Sequence, residues 1–290
     1  MKLVTFSDTA GPRAGALRGD SVVDLSALEA GPGMLDIVRA GPGALEEIAG
    51  EYADAPGLSL ESVRLHAPLP NPPNNLMCVG RNYVEHAREF SAAGFDASEK
   101  KVLPDEPIIF TKAVTSIVGP GDDIVAANDP TNSVDYEGEL AVIIGPGGRS
   151  ISPADAFDHV FGYTLVNDVT ARHLQQRHVQ FFIGKSVDTF CPMGPAIVTR
   201  DEMPDLPSAV LTTHVNGELR QEAPLSDLIF DVPRLITTLS EAITLQPGDI
   251  IATGTPYGTG MSFEPARFLS SGDVVEVSMP EIGTLRNPVA

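Results

Sequence analysis

Residues 133–145, SVDYEGELAVIIG, begin as an alternation of acidic and other residues and end as an unbroken apolar run. Residues two apart in an extended strand share a face. Asp135, Glu137 and Glu139 therefore fall on one side, which continues as Ala141 and Ile143, while Leu140, Val142 and Ile144 fall on the other. A strand apolar on both faces is covered on both faces. The stretch predicts a buried strand with acidic side chains at its mouth.

The same texture recurs in IIFT, GYTLVND, AIVT, LTTHVNG, DIIATG and DVVEVSM, each a short β-type run. PGDDI, PGDII and SGDVV each place a turn signal directly before a strand. Helical patterns are fewer: one after His86, one after Asp168, and VPRLITTLSEAI at 232–243. Near the N-terminus, KLVTF and SVVDL read as strands, and MLDIVRA and ALEEIAGEY as short helices between Gly-Pro breaks. HAPLPNPPNN, residues 66–75, then favours an extended connector. The pattern predicts a small N-terminal α+β domain over residues 1–72 and a larger unit over 73–290, an α+β, β-rich roll or barrel.

Composition narrows the functional classes. With 290 residues, 42% hydrophobic and 20% charged, the chain can bury a sizeable core. Nineteen basic residues against 39 acidic ones give a net charge of −20, which disfavours nucleic acid and anionic membranes as partners. No apolar run reaches the ~20 residues that span a bilayer, and MKLVTFSDTAG is too short in apolar residues for a signal peptide. Cys78 and Cys191 match no metal or redox spacing and read as small buried hydrophobes in a reducing compartment. The expected location is the cytoplasm.

Several motifs are excluded. The GKS at 184–186 lacks the upstream glycine of a phosphate-binding loop, because Val179 stands there. No GxGxxG follows a strand, and no GxSxG elbow exists. His173 and His178, five apart, fit neither HExxH nor a shared helix face.

The remaining candidates are polar residues in apolar surroundings. Asp168 ends an apolar strand and would also serve as a helix N-cap; Glu137 and Glu139 would also suit the wet half of a strand. Taken together, three carboxylates beside buried strands repel one another unless a cation compensates. Oxygen-only ligation suits Mg²⁺, with Mn²⁺ or Ca²⁺ as substitutes. His86 and Glu89 are three apart and share a helix face, either as a surface pair or as an imidazole oriented into a general base. The small, polar SAAGFDASEKKVLPD that follows has the composition of a lid over residues 86–103. Lys185 is a lone cation after an apolar run, suited to steadying an enolate if held near a metal. TGTPYGTG at 253–260 is either a tight turn or a set of hydroxyls and N–H groups for a carboxylate.

In order, GRNYVEHARE, IIFTKAVTSIVGPGD, VDYEGELAVIIG, GYTLVNDVTARHLQ, GKSVDTFCPMGP and IATGTPYGTG resemble the fumarylacetoacetate hydrolase family, over about residues 76–280. The resemblance implies that family's mixed β-roll, a homodimer, and Mg²⁺ held by Glu137, Glu139 and Asp168. It implies His86 with Glu89 as a water-activating pair and Lys185 near an enolate oxygen. Arg81, Tyr83, Lys112, Gln175 and Thr255 match positions that line the substrate site in relatives. The chain departs from the family pattern at His173 (usually an acid), Ala113 (commonly Pro) and Phe181 (commonly Trp). The implied substrate is a small 2-oxo acid. The first expectation is metal-dependent hydrolysis of a C–C bond in a 2,4-dioxo acid, of acylpyruvate or diketo sugar-acid type, through an enolate. The alternative is an oxaloacetate-type decarboxylase or a hydroxymuconate-type isomerase of aromatic catabolism. A non-catalytic 2-oxo-acid binder comes third, since a binder needs no water-activating pair.

Overall fold

The computed structural model describes residues 1–92, 94 and 102–290, so the middle of the expected lid lies outside the described residues. The two-faced apolar strand is Gly138–Ile144, and it occupies the middle of the main sheet. Its antiparallel neighbours are Val160–Asn167 and Ile250–Ala252. Beyond Ile250–Ala252 the sheet continues through the parallel strand Leu76–Gly80 to an edge strand, Ile108–Lys112. In the other direction it runs from Val160–Asn167 through Cys191–Thr199 to Lys2–Asp8, Gly11–Arg18, Ser21–Asp24 and Gly57–Ser59. The pairs Lys2↔Val198 and Leu3↔Ile197 thus carry the sheet from the N-terminal region into the rest of the chain.

Each face of the central strand meets a different layer. Leu140, Val142 and Ile144 pack with Leu165, with Leu211, Val277 and Leu285 of a second, four-stranded antiparallel sheet, and with Leu235, Ile236 and Leu239 of the Val232–Ala242 helix. Ala141 and Ile143 pack the opposite way, against Leu3, Leu25, Ile37 and Leu69. Burying one large aliphatic side chain contributes roughly 1.5–3 kcal/mol, so the alternation read from the sequence fixes the register: a one-residue slip would exchange the two layers. The Val232–Ala242 helix starts where Asp231 accepts the Arg234 N–H at 2.9 Å, with Pro233 in its first turn, and it presents one apolar stripe to the core.

The three Gly-Asp turns share one geometry. Gly121, Gly248 and Gly272 all have φ between 78° and 96°, a region where only glycine is at ease. In each, the next residue's carboxylate accepts a backbone N–H from three positions earlier: Asp122 from Gly119 at 2.8 Å, Asp249 from Gln246 at 2.7 Å, Asp273 from Ser270 at 2.8 Å. The repeated sequence is a repeated capped turn. Cys78 and Cys191 are free and buried, and burial raises both thiols, Cys191 to about 12. Among the described residues no helix is long and apolar enough to cross a membrane.

Because Leu140 is fully buried between the two sheets, Leu140→Ala should destabilise the fold by about 2–5 kcal/mol. Urea unfolding should show a lower midpoint at an unchanged slope; a shift below about 0.5 kcal/mol, the scale of a surface change, would mean that this layer is not the core.

Candidate functional site

Register builds the acidic cluster. Gly138 stands opposite Asn167, so the residues just outside that pair, Glu137 and Asp168, become neighbours. The Asp168 N–H donates to the Glu137 carbonyl at 2.7 Å, and the Glu137 N–H donates to the Asn167 side chain at 3.0 Å. Thr170–Ala171 then pairs with Val134–Asp135, and the helix begins only at Arg172. Asp168 is therefore no helix cap; Ala171 stands at that position. One oxygen from each of Glu137, Glu139 and Asp168 can be chosen so that all three lie within 4.8 Å of one another, and all three residues are buried. An all-oxygen set of this kind binds a hard divalent cation.

Asp135 departs from the simple alternation. The ladder breaks at Tyr136–Glu137, and the Asp135 carboxylate turns to the backbone N–H groups of Tyr136, Gly260 and Met261 at 2.7–3.0 Å and to Arg172 Nε at 2.8 Å. A Cβ on Gly260 would come within 2.6 Å of the carboxylate, so the loop needs glycine to approach this closely. Arg172 is fully buried and passes the connection on, pairing with Glu137 Oε1 at 2.6 Å. Lys185 Nζ donates to Glu137 at 2.5 Å and to Asp168 at 2.7 Å. Lys112 lies 2.7 Å from the other Asp168 oxygen.

Four carboxylates thus meet three permanent cations, one short of neutrality. Burial would raise the Glu137 carboxyl, but Arg172 and Lys185 hold it well below the usual range. Burial would lower Lys185, but Asp168 and Glu137 hold it above its ordinary value. Glu139 receives a hydrogen bond from the Gly254 N–H at 2.9 Å, and among the described residues it makes no ion pair. Burial first, then Asp168 and Glu137, push its carboxyl well above the usual range. A divalent ion beside Glu139 would supply the counter-charge that this carboxylate lacks and turn the net −1 into +1, so the residues present fit the cation.

A small cavity lies against the cluster, lined by Glu137, Glu139, Lys185, His86, Gln175 and Thr255, with Arg81 and the rings of Phe90, Phe110 and Phe181. His86 is buried on the Val84–Ala92 helix, its Nδ1 3.6 Å from Glu89, which is beyond hydrogen-bond length. Both Glu89 oxygens instead accept the Gly258 N–H, at 2.9 and 3.1 Å. The Thr255 hydroxyl donates to the Gly138 carbonyl and accepts from Gln221, so it serves the loop itself. Gln175 accepts from Arg172 at 3.4 Å.

Two residues expected at the substrate do not line this cavity. Lys112 is fully buried behind Asp168 and donates to the carbonyls of Val169 and Lys185, so its ammonium is spent on the scaffold. Tyr83 is buried and lines a neighbouring pocket of about 510 Å³ with Asp227 and Tyr257. Of the three departures, His173 is exposed and meets the edge of Phe268, while Phe181 lines the cavity. Asn82 was not anticipated. Its buried amide donates to the Phe230 and Thr253 carbonyls at 3.0 and 2.7 Å and accepts the Phe230 N–H at 2.8 Å, tying the start of the His86 helix to the 253–260 loop. An Asn that follows a strand end carries no sequence signal that separates this role from a turn.

The profile of the fumarylacetoacetate (FAA) hydrolase C-terminal domain matches residues 75–290. Oxaloacetate tautomerase YisK of Bacillus subtilis is 51% identical over 231 residues, covering 80% of this chain and 74% of its own. The mitochondrial oxaloacetate tautomerase fahd2 of Xenopus laevis is 39% identical over 298 residues, 100% and 90% of the two chains. Among solved structures, a fumarylacetoacetate hydrolase from Exiguobacterium antarcticum superposes with a TM-score of 0.86 at 43% identity, covering 100% and 99% of the chains. A maleylpyruvate hydrolase from Sphingobium sp. SYK-6, in complex with manganese(II) and pyruvate, gives 0.81 at 32% identity with the same coverage.

The charge imbalance gives the acids different expected behaviour. Mn²⁺ or Mg²⁺ should raise the melting temperature of the wild type, by about 2.7 kcal/mol of added stability at 100 times Kd. Glu139→Gln, removing a carboxylate without an ion pair, should melt at or above the metal-free wild type and lose the metal-dependent rise. Glu137→Gln should melt lower, because Arg172 and Lys185 lose their shared partner. Differential scanning calorimetry with and without metal checks all three. Equal metal responses in wild type and Glu139→Gln would remove Glu139 from the ligand set.

Proposed function

This chain belongs to the fumarylacetoacetate hydrolase family, and we propose that within it the protein tautomerises a short 2-oxo acid of the oxaloacetate type, interconverting keto and enol forms. One observation carries the choice. His86 and Lys185 line one cavity, as proton transfer requires, while Glu89 stands 3.6 Å from His86 and is engaged with Gly258. Enolisation needs a base and a cation near the oxygen; hydrolysis also needs a water activated by an assembled His–Glu pair. Two relatives named oxaloacetate tautomerases support the same reading.

We assign Glu137, Glu139 and Asp168 to a divalent metal, Mg²⁺ or Mn²⁺, which when bound would supply Lewis-acid polarisation of the 2-oxo group. His86 removes the proton from the carbon next to that group. Lys185 spends two N–H bonds on Glu137 and Asp168 and keeps a third for the oxygen where negative charge gathers. One C–H bond breaks and one O–H bond forms, so the reaction is balanced without a co-substrate. Gln175 and Arg81 line the same space and orient the carboxylate. Arg172 and Lys112 hold the acids in place. All of these residues lie in the 73–290 unit that we take as catalytic.

C–C bond hydrolysis is the second reading, favoured by the placement of Glu89 one turn after His86 and by the likeness to a maleylpyruvate hydrolase. A side-chain rotation that brings Glu89 to hydrogen-bond distance would complete the water-activating pair. The test compares the two reactions in one preparation with Mg²⁺ or Mn²⁺ present. The enol absorbance of oxaloacetate should relax much faster with enzyme than without, and His86→Ala should slow this by ~10²-fold or more. If acetylpyruvate is cleaved while oxaloacetate relaxes at its uncatalysed rate, hydrolysis replaces tautomerisation.

A further inference from the structure

The cavity is roofed by rings. Phe181 stacks at a tilt on Phe90, 6.1 Å between centroids, and edge-on to Phe110 at 5.4 Å. Phe90 lies 6.4 Å from the His86 ring, and Lys185 Nζ sits 5.1 Å from the centre of Phe110. The three phenylalanines therefore form an arch from the proposed base to the proposed cation, with Phe181 in the middle. Beneath it the cavity has a volume of about 20 Å³, room for about one water. A 2-oxo acid is larger than a water, so part of the lining must yield to admit one.

The three rings are not equally free to yield. Phe90 is buried on the Val84–Ala92 helix. Phe110 stands on a strand, opposite Cys78, and packs against the core. Phe181 is only half-buried and sits in the short link between the Arg172–His178 and Phe182–Lys185 helices. That link contains Val179 at φ 59°, a left-handed conformation that is costly for a β-branched residue. A 2-oxo acid held against the three acids would extend its distal end beneath the arch.

We infer that Phe181 is the size filter of this site, limiting it to 2-oxo acids whose distal group is no larger than a carboxylate or methyl. The inference rests on the enolisation reading for its rate assay, and the binding assay below is independent of it. Each added methylene must push Phe181 further off Phe90 and Phe110, so discrimination grows with chain length.

The experiment follows exchange of the hydrogens next to the 2-oxo group with D₂O, by NMR, for oxaloacetate, 2-oxoglutarate and 2-oxoadipate with Mg²⁺ present. Wild-type kcat/KM should fall by at least ~10-fold from oxaloacetate to 2-oxoadipate. Phe181→Ala should narrow that gap, mainly through a lower KM for 2-oxoadipate, and Phe181→Trp should widen it. Phe182→Ala, at an exposed neighbour outside the cavity, should leave the ratio as in wild type. In parallel, calorimetry with Mn²⁺ compares oxalate with 2-oxoadipate, and Phe181→Ala should improve the 2-oxoadipate affinity relative to oxalate. If wild type exchanges no substrate, the enolisation reading fails and the calorimetric ratio alone decides the filter. If exchange proceeds but Phe181→Ala changes neither ratio, the filter is wrong and the enolisation reading stands.

Discussion

A buried chain of charges, Asp135–Arg172–Glu137–Lys185–Asp168–Lys112, determines how the segments around the candidate site must sit. Charges removed from water are costly unless every one is paired and hydrogen-bonded. This network pairs every charge, with donors from five separated parts of the sequence, while Asp168 Oδ1 and Arg172 Nη2 rely on their ion pairs alone. Removing Arg172 would leave Asp135, and removing Asp168 would leave Lys112, buried without a charged partner. The network thus couples the strand register, the 253–260 loop and the Phe182–Lys185 helix into one geometry. Such a network is weak evidence for stability, because well-packed hydrophobic residues of similar volume often do as well or better. Stability comes instead from the two apolar layers on either face of Gly138–Ile144. The imbalance at Glu139 is the part of the network that stability alone would not retain.

Much of this was legible in the sequence because it depends on local periodicity. The two-faced strand, the apolar stripe of the Val232–Ala242 helix and the three Gly-Asp turns follow from residue spacing, and the structure has each of them. The clustering of Glu137, Glu139 and Asp168 was expected from the cost of burying like charges and from family resemblance. Spacing could not separate Asp135 from its two acidic neighbours, because alternation assumes an unbroken strand. The break at Tyr136–Glu137 exists because Asn167 and Asp168 bond across it, and that pairing is non-local. The contacts of Lys112 were hidden for a related reason: a lysine after an apolar strand looks the same whether its ammonium faces a cavity or, as here, a buried carboxylate. The pairing of Lys2–Asp8 with Cys191–Thr199 was equally invisible, since nothing in either segment names the other.

On the proposed reading, the acids, Lys185 and His86 form an electrophilic core that would serve enolisation, hydrolysis and decarboxylation alike, because all three develop charge on the same oxygen. Residue types alone therefore cannot choose among them. The choice rests on the second contact of His86, with a carboxylate one helical turn away. In this structure Glu89 stands 3.6 Å from the imidazole and accepts the Gly258 N–H, and the loop that carries Gly258 is held by Asp135 through Gly260 and Met261. The network that fixes the clustered acids thereby also fixes the loop that competes with His86 for Glu89. Where that competition favours the loop, His86 is left as a lone base, sufficient to move a proton on carbon. Where it favours His86, the same residues hold a water-activating pair. On this view reaction type is set by the position of the Gly258 N–H, and substrate length by the Phe181 ring on the far side of the same cavity.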